Sequence, residues 1–225
     1  MKISQETINI LKNYSTINSN IIIEPGKTLK TFATSKTIMA IASIEEDFPK
    51  EVCIYDMHIF LGVLTLFDEP DIDFKEKYMV ISESEGKSIK LKYFYAAKNV
   101  IPTAKCGIIS LPDSLVKFTL NESDLHKLVR ASATLKLEDF TIESDGNRVS
   151  LSVFNKEDDK GCNRFSVDVG EGNGDEYQII IKVKNLLMIQ GTYDVEVCKT
   201  KPITQFKNVD KDITYYIAID PTSKQ

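Results

Sequence analysis

A succession of helix, strands, helix and strands runs through this 225-residue chain twice, interrupted by one stretch without period. Ser4 reads as the N-cap of a first helix, followed by Ile8, Leu11 and Tyr14 at helical spacing. Strands are expected over 20–24, 28–33 and 37–43, the first two joined by a Pro25-Gly26 turn. A short strand over 51–55 leads to Asp56, the N-cap of a helix over 57–66, in which Phe60, Leu61, Val63, Leu64 and Phe67 face a sheet. Strands over 71–75, 78–82 and 88–94 complete the half, with Glu85-Gly86 as a hairpin turn. Residues 98–113 hold Pro102 and Pro112 and show no period, which marks a linker.

The second half repeats the order. A strand over 116–120 meets a helix over 122–134, capped by Asn121, with Leu125, Leu128 and Val129 on its apolar stripe. Strands follow over 136–143, 148–154 and 164–169, the first two turned by Asp145-Gly146-Asn147. After the glycine-rich turn 170–174 come a strand over 176–181 and a short helix over 183–189. Strands over 192–198, 203–207 and 213–219 finish the pattern. The architecture is duplicated although the letters are not.

The expected fold class is α+β: two similar domains, 1–97 and 114–225, separated by the linker 98–113. Each would be an antiparallel sheet with two helices on one face. Such a domain leaves sheet edges open, and an open edge invites strand pairing with another chain. Protomers that join edge to edge and close a ring remove that hazard.

Helix faces and charge narrow the function. The net charge is −5, with pI near 5.2, which argues against coating nucleic acid with the whole surface but leaves room for a local basic face. Opposite the apolar stripe of the 122–134 helix lie Lys127, Arg130 and Thr134, with His126 beside them. Its carboxylates, Glu122 and Asp124, sit in the first turn, where the macrodipole favours them. The first helix presents Gln5, Asn9 and Lys12, with Glu6 near its start. The second presents His58, Gly62 and Thr65, and the fourth carries Lys182 and Lys184 at its entry. Acids gather elsewhere, at Glu45-Glu46-Asp47, Asp68-Glu69-Pro70-Asp71 and Glu157-Asp158-Asp159. Helices that face phosphates without reading bases fit this segregation, although a lysine- and arginine-bearing face is more often simply solvated.

The ordered residues resemble a known family. Met1-Lys2-Ile3-Ser4 through Thr7-Ile8, then Leu11-Lys12-Asn13 and Thr16-Ile17-Asn18-Ser19, is similar to the opening of T-even-type phage sliding clamps. Tyr55-Asp56, Phe60-Leu61 with Leu64, Ala96-Ala97, Leu128-Val129-Arg130-Ala131-Ser132, Phe154-Asn155-Lys156-Glu157-Asp158 and Tyr216-Ile217-Ala218 continue the series in register. The matches span nearly the whole chain, while 98–112 and 186–190 match poorly.

The resemblance implies a processivity factor of the DNA clamp fold, shared with proliferating cell nuclear antigen, acting in the cytoplasm of an infected bacterial host. It implies a homotrimeric ring around double-stranded DNA that tethers DNA polymerase, is opened by an ATP-driven clamp loader, and can serve late-transcription factors. Carried over by position, Lys12, Lys127, Arg130, Lys182 and Lys184 would face DNA. Ser88, Lys90, Lys92 and Phe94 would meet Arg164, Ser166 and Asp168 of a neighbour at ring closure. Phe32, Ile38, Ile108, Pro202, Tyr216 and Pro221 would line a pocket for partner peptides, with a core role for Ile38 and Tyr216 as the alternative.

Catalytic and cofactor signatures are missing from the letters. Two histidines, His58 and His126, give a nucleophile–base pair little to work with, and no GxxxxGK[ST] loop occurs. Asp71 with Asp73, and Asp168 with Asp175, follow no metal-loop spacing, and hairpin turns account for them. Cys53, Cys106, Cys162 and Cys198 are scattered and read as small hydrophobes in a reducing compartment. The opening is polar and no apolar run approaches the roughly 20 residues of a membrane span, so a soluble protein without metal, cofactor or enzymatic activity is expected. The competing reading is a monomeric two-domain module for peptides or single-stranded DNA, using Tyr93-Phe94-Tyr95 beside Lys90 and Lys92.

Overall fold

The computed structural model describes residues 1–83, 89–102, 107–158 and 163–224; the expected Glu85-Gly86 turn, Ser88, Cys106 and Cys162 lie outside them. The chain forms two compact units, residues 1–35 with 39–108, and 109–225 with 36–38.

In the first unit α1 (Gln5–Ile17) starts where Ser4 Oγ accepts a hydrogen bond from Thr7 N at 3.2 Å. Its buried stripe is Thr7, Ile10, Leu11 and Tyr14, so Ile8 stands half-buried beside the stripe and not within it. The rotation follows from Thr7, whose hydroxyl donates to the Glu46 carboxylate at 2.5 Å and can therefore be buried without an orphaned polar group. β1 (Ile21–Ile23) pairs antiparallel with β4 (Val52–Ile54), and β2 (Gly26–Phe32) with β3 (Ile38–Phe48). Asp56 Oδ1 accepts from His58 N and Ile59 N at 2.9 and 3.1 Å, fixing the start of α2 (Met57–Leu64). α2 packs on α1 and buries Met57, Phe60, Leu61 and Leu64, each fully buried side chain contributing roughly 1.5–3 kcal/mol. β5 (Pro70–Phe74), β6 (Tyr78–Glu83) and β7 (Lys90–Phe94) form an antiparallel meander whose Ile72, Met79 and Ile81 enter the core.

The second unit begins with β8 (Ser114–Leu120) and α3 (Glu122–Leu135), which buries Leu125, Leu128 and Ser132. Asn121 occupies the N-cap position, but its side chain makes no capping bond; its carbonyl accepts from Leu125 N at 3.0 Å. β9 (Asp139–Asp145), β10 (Arg148–Phe154), β11 (Phe165–Glu171) and β12 (Glu176–Lys182) pair antiparallel in the order β11-β10-β9-β12. β13 (Tyr193–Cys198), β14 (Ile203–Asn208) and β15 (Ile213–Ala218) follow, and β8-β13-β14-β15 pair in that order. Tyr193 lies between Phe206 and Tyr215, with ring centroids 6.4 and 6.2 Å away, and burial pushes its hydroxyl up to about 12.

The expected helix over 183–189 is a single 3-10 turn, Val183–Leu186. A tertiary partner takes a backbone group the helix would use: Ile189 N, which would bond to the Asn185 carbonyl in a helix, donates to the Tyr215 hydroxyl at 3.2 Å. Three α-helices therefore stand among the described residues where four were expected. The hairpin between β9 and β10 turns at Gly146, φ +86°, a backbone conformation that favours glycine. It locks onto the β11–β12 connection through Gly172 N to Asn147 O, 2.6 Å, and Gly174 N to Gly146 O, 3.0 Å.

Candidate nucleic-acid interface

Within each unit, helices carry one solvent face, and the residues on it differ in charge from the rest of the surface. α1 exposes Gln5, Asn9, Lys12 and Thr16, and its only carboxylate, Glu6, is in the first turn. α3 exposes His126, Lys127, Arg130 and Thr134, with Glu122 and Asp124 again confined to the first turn. Lys127 Nζ reaches Asp124 one turn back at 3.2 Å, an exposed pair worth at most about 1 kcal/mol that a phosphate can displace. Among the described residues Lys12, Arg130 and Lys184 form no ion pair, whereas some lysines elsewhere do, such as Lys2 with Glu69, Lys30 with Glu24 and Lys98 with Glu51. Lys12 and Arg130 thus stand apart from acids, and Lys127 has only Asp124.

The remaining positions separate. Lys184 is exposed on the 3-10 turn. Lys182 ends β12, is half-buried, and pairs at 2.7 Å with Asp139, a carboxylate in the core of the unit. That ammonium is committed to neutralising a buried charge. α2 presents His58, Gly62 and Thr65 as the sequence suggests, together with exposed Ile59, so its face carries no carboxylate and no lysine or arginine. Sequence reasoning missed Lys136. It was placed in a strand, but it caps α3 in the left-handed conformation, φ 55°, and is exposed. The available signal was a cation at a helix C-terminus, where the macrodipole favours it.

Among the described residues, β7 and β11 are each the terminal strand of a sheet. β7 ends the β5-β6-β7 meander and exposes Lys90, Lys92 and Phe94, the last 66% exposed and tilted against Tyr78 at 5.5 Å. β11 ends the other sheet and exposes Ser166 and Asp168; a register shift opposite Val149 and Ser150 leaves Val169 as an extra residue, so the straight edge is short. Arg164 precedes β11, its guanidinium 4.7 Å over the Phe154 ring and 3.1 Å from Glu143. Tyr93 does not join an aromatic platform: it turns inward, edge-on to Phe60 at 5.3 Å, which removes the middle of the stacking surface that single-strand binding would need.

Of the pocket candidates, Ile38 and Tyr216 are core residues, 6% and 4% exposed, Phe32 is half-buried at the end of β2, and Ile108, Pro202 and Pro221 are exposed. Asp73 pairs with Lys75 at 2.6 Å and Asp168 with Arg148 at 3.2 Å, so these carboxylates serve ion pairs. Cys53 and Cys198 are buried free thiols. No helix among the described residues is long and apolar enough to cross a membrane.

Known proteins share both sequence and fold with this chain. The family described as "DNA polymerase processivity factor" matches residues 3–100, and that described as "gp45 sliding clamp, C terminal" matches 117–221. The sliding clamp of Enterobacteria phage T4 is 30% identical over 205 residues, covering 86% of this chain and 85% of that protein. The sliding clamp of Vibrio phage KVP40 is 29% identical, covering 98% and 99%. Solved structures of the proliferating cell nuclear antigens of Entamoeba histolytica and Thermococcus kodakaraensis superpose with a TM-score of 0.68 each, at 14% and 13% identity. They cover 95% and 96% of this chain, and 94% and 96% of their own, which establishes the DNA clamp fold. With its α+β architecture, both family matches and a 30% identical relative matched over most of both chains, this protein belongs to the sliding-clamp family of DNA polymerase processivity factors.

Proposed function

We propose that three copies of this chain close into a ring around duplex DNA and tether the replicative DNA polymerase of a phage for processive synthesis. One observation carries the reading: in a chain of net charge −5, the exposed faces of α1 and α3 hold Lys12, Lys127 and Arg130 and no carboxylate beyond the first turn. Cations that touch only phosphates bind every sequence alike, so the protein can slide, and the contact weakens as salt rises. Lys184 and Lys136 extend this face, while Lys182 adds little while paired with Asp139.

Ring closure joins β7 of one protomer to β11 of the next, edge to edge, bringing Lys90, Lys92 and Phe94 near Ser166 and Asp168, with Arg164 at the margin. Polymerase docks through a short peptide, with Phe32, Ile38, Ile108, Pro202, Tyr216 and Pro221 as its candidate contacts. An ATP-driven loader opens the ring, late-transcription factors use the same docking surface, and the clamp works in the host cytoplasm without chemistry of its own. The domains run 1–97 and 114–225 about a 98–113 linker.

Sedimentation gives the first test: a ring former runs as a trimer at micromolar concentration, and a single-protomer mass sinks the proposal. Changing Lys127→Glu with Arg130→Glu tests the channel. The trimer should persist while polymerase loses processive synthesis on a primed template; undiminished product length would show that these residues do not face DNA.

A further inference from the structure

The sheet β11-β10-β9-β12 treats its two edges differently. β11 is open. Along β12 runs the segment 219–224, and it occupies all four outward main-chain groups of Gln178 and Ile180. Asp220 N donates to Ile180 O, Ile180 N to Ser223 Oγ, Gln178 N to Lys224 O and Lys224 N to Gln178 O, each at 2.8 Å. An edge strand left bare would offer those same groups to another chain.

The segment is fastened as well as paired. Lys156 Nζ, from beyond β10, reaches Asp220 Oδ2 at 2.7 Å, and Thr222 N and Oγ1 donate to Asp220 Oδ1 at 2.9 and 2.6 Å. It is a turn, with Ser223 N donating to Asp220 O at 3.0 Å, and it contains Pro221, which has no N–H. It therefore satisfies the edge of β12 without offering a fresh regular edge of its own. No sheet mechanics demand such a cover. A chain that assembles through β11, however, needs this sheet to present one edge and not two.

We infer that the 219–224 segment is an edge guard: it confines strand-to-strand assembly through the β11-β10-β9-β12 sheet to β11, and β12, once uncovered, competes with β11 for β7 of another copy of this chain. The inference rests on the ring reading. The occupant follows from what every copy supplies. Within a protomer β7 ends its sheet, with Lys90 and Lys92 exposed on one face, and beside the covered edge Glu176 is exposed on the face of β12 that carries Gln178. An uncovered β12 thus offers β7 both unpaired main-chain groups and a complementary charge.

The test uses the full chain carrying Asp220→Ala with Ser223→Ala, and a milder Lys156→Ala variant that cuts only the ion pair. Sedimentation velocity of the double variant should show species heavier than the trimer, increasing with concentration, while the unaltered chain shows the trimer alone. Hydrogen exchange at the Gln178 and Ile180 amides should quicken at least tenfold in the double variant and less in Lys156→Ala. Adding Lys90→Glu with Lys92→Glu should diminish the heavy species. Fast amide exchange with no heavier species would overturn the docking edge, unchanged exchange would overturn the guard, and heavy species indifferent to the β7 reversal would overturn the named occupant. A monomeric unaltered chain would sink the ring reading instead, a result the exchange data alone do not give.

Discussion

Glu46 on β3 holds the first turn of α1 through Thr7, whose hydroxyl donates to its carboxylate at 2.5 Å while the Ser4 N–H donates to the other oxygen. Burial alone would raise the Glu46 carboxyl, but the Ser4 and Thr7 hydrogen bonds more than offset it and hold the group below its ordinary 4.5. A negative charge at the N-terminus of α1 also suits the macrodipole. This carboxylate anchors the helix that carries Lys12.

Glu46→Ala should therefore destabilise the protein by about 1–3 kcal/mol, since it strands a buried hydroxyl and a backbone N–H. Glu46→Gln isolates the charge. A carboxyl with a lowered folded pKa contributes stability that is present above its unfolded value and lost as pH falls through the folded one. The penalty of Glu46→Gln in urea unfolding should be full at pH 7 and fade below about pH 4. A penalty that stays constant through that range would mean that the charge is not what holds the helix.

Lys136 is the C-cap of α3 with φ 55°, and left-handed backbone costs an L-residue roughly 1 kcal/mol. Lys136→Gly should raise stability by up to about 1 kcal/mol, less whatever the lysine gains at the helix C-terminus. Lys136→Val, β-branched, should lower it. Urea midpoints of the two variants should fall on opposite sides of the parent; a common direction would place the strain elsewhere.

Gly172 and Gly170 are two residues apart and should respond oppositely to the same change. A Cβ on Gly172 would stand 2.5 Å from Gly146 O, a backbone atom, whereas one on Gly170 meets nothing within 4 Å. Gly172→Ala should cost about 1–3 kcal/mol, because two main-chain segments must move apart. Gly170→Ala should be close to neutral. Thermal melts decide it, and equal shifts would show that the loop yields freely.

Much of the fold was legible because local signals and burial agreed. Asp56 before an apolar helix, Asp145-Gly146-Asn147 between two alternating strands, and Leu125 with Leu128 each stated the same structure at two levels. The misreadings lie where a distant residue decided the outcome. Thr7 is buried because Glu46, 39 positions away, accepts a hydrogen bond from its hydroxyl, and that moved the stripe of α1. Ile189 loses its helix to the Tyr215 hydroxyl 26 positions on. At the candidate site the cations of α1 and α3 could be read from their spacing, while Lys182 could not, since Asp139 is a partner that only the β9–β12 pairing brings near.

Assembly through β7 and β11 carries a charge signature. Lys90 and Lys92 are exposed on β7, and Asp168 on β11 pairs within the protomer with Arg148 at 3.2 Å, an exposed pair that yields readily. Between protomers, each lysine–carboxylate approach should contribute a few tenths to about 1 kcal/mol and be screened by salt. Changing Lys90→Glu with Lys92→Glu turns attraction into repulsion, so the concentration at half-assembly should rise roughly fivefold to thirtyfold, or about 1–2 kcal/mol. Adding Asp168→Lys to the same chain places opposite charges across the edge again and should recover most of the loss, because every subunit then supplies both reversed partners. Sedimentation equilibrium across a potassium chloride series measures both effects. Assembly that is insensitive to the lysine reversal, or that the compensating change worsens, would mean that these two edges do not meet.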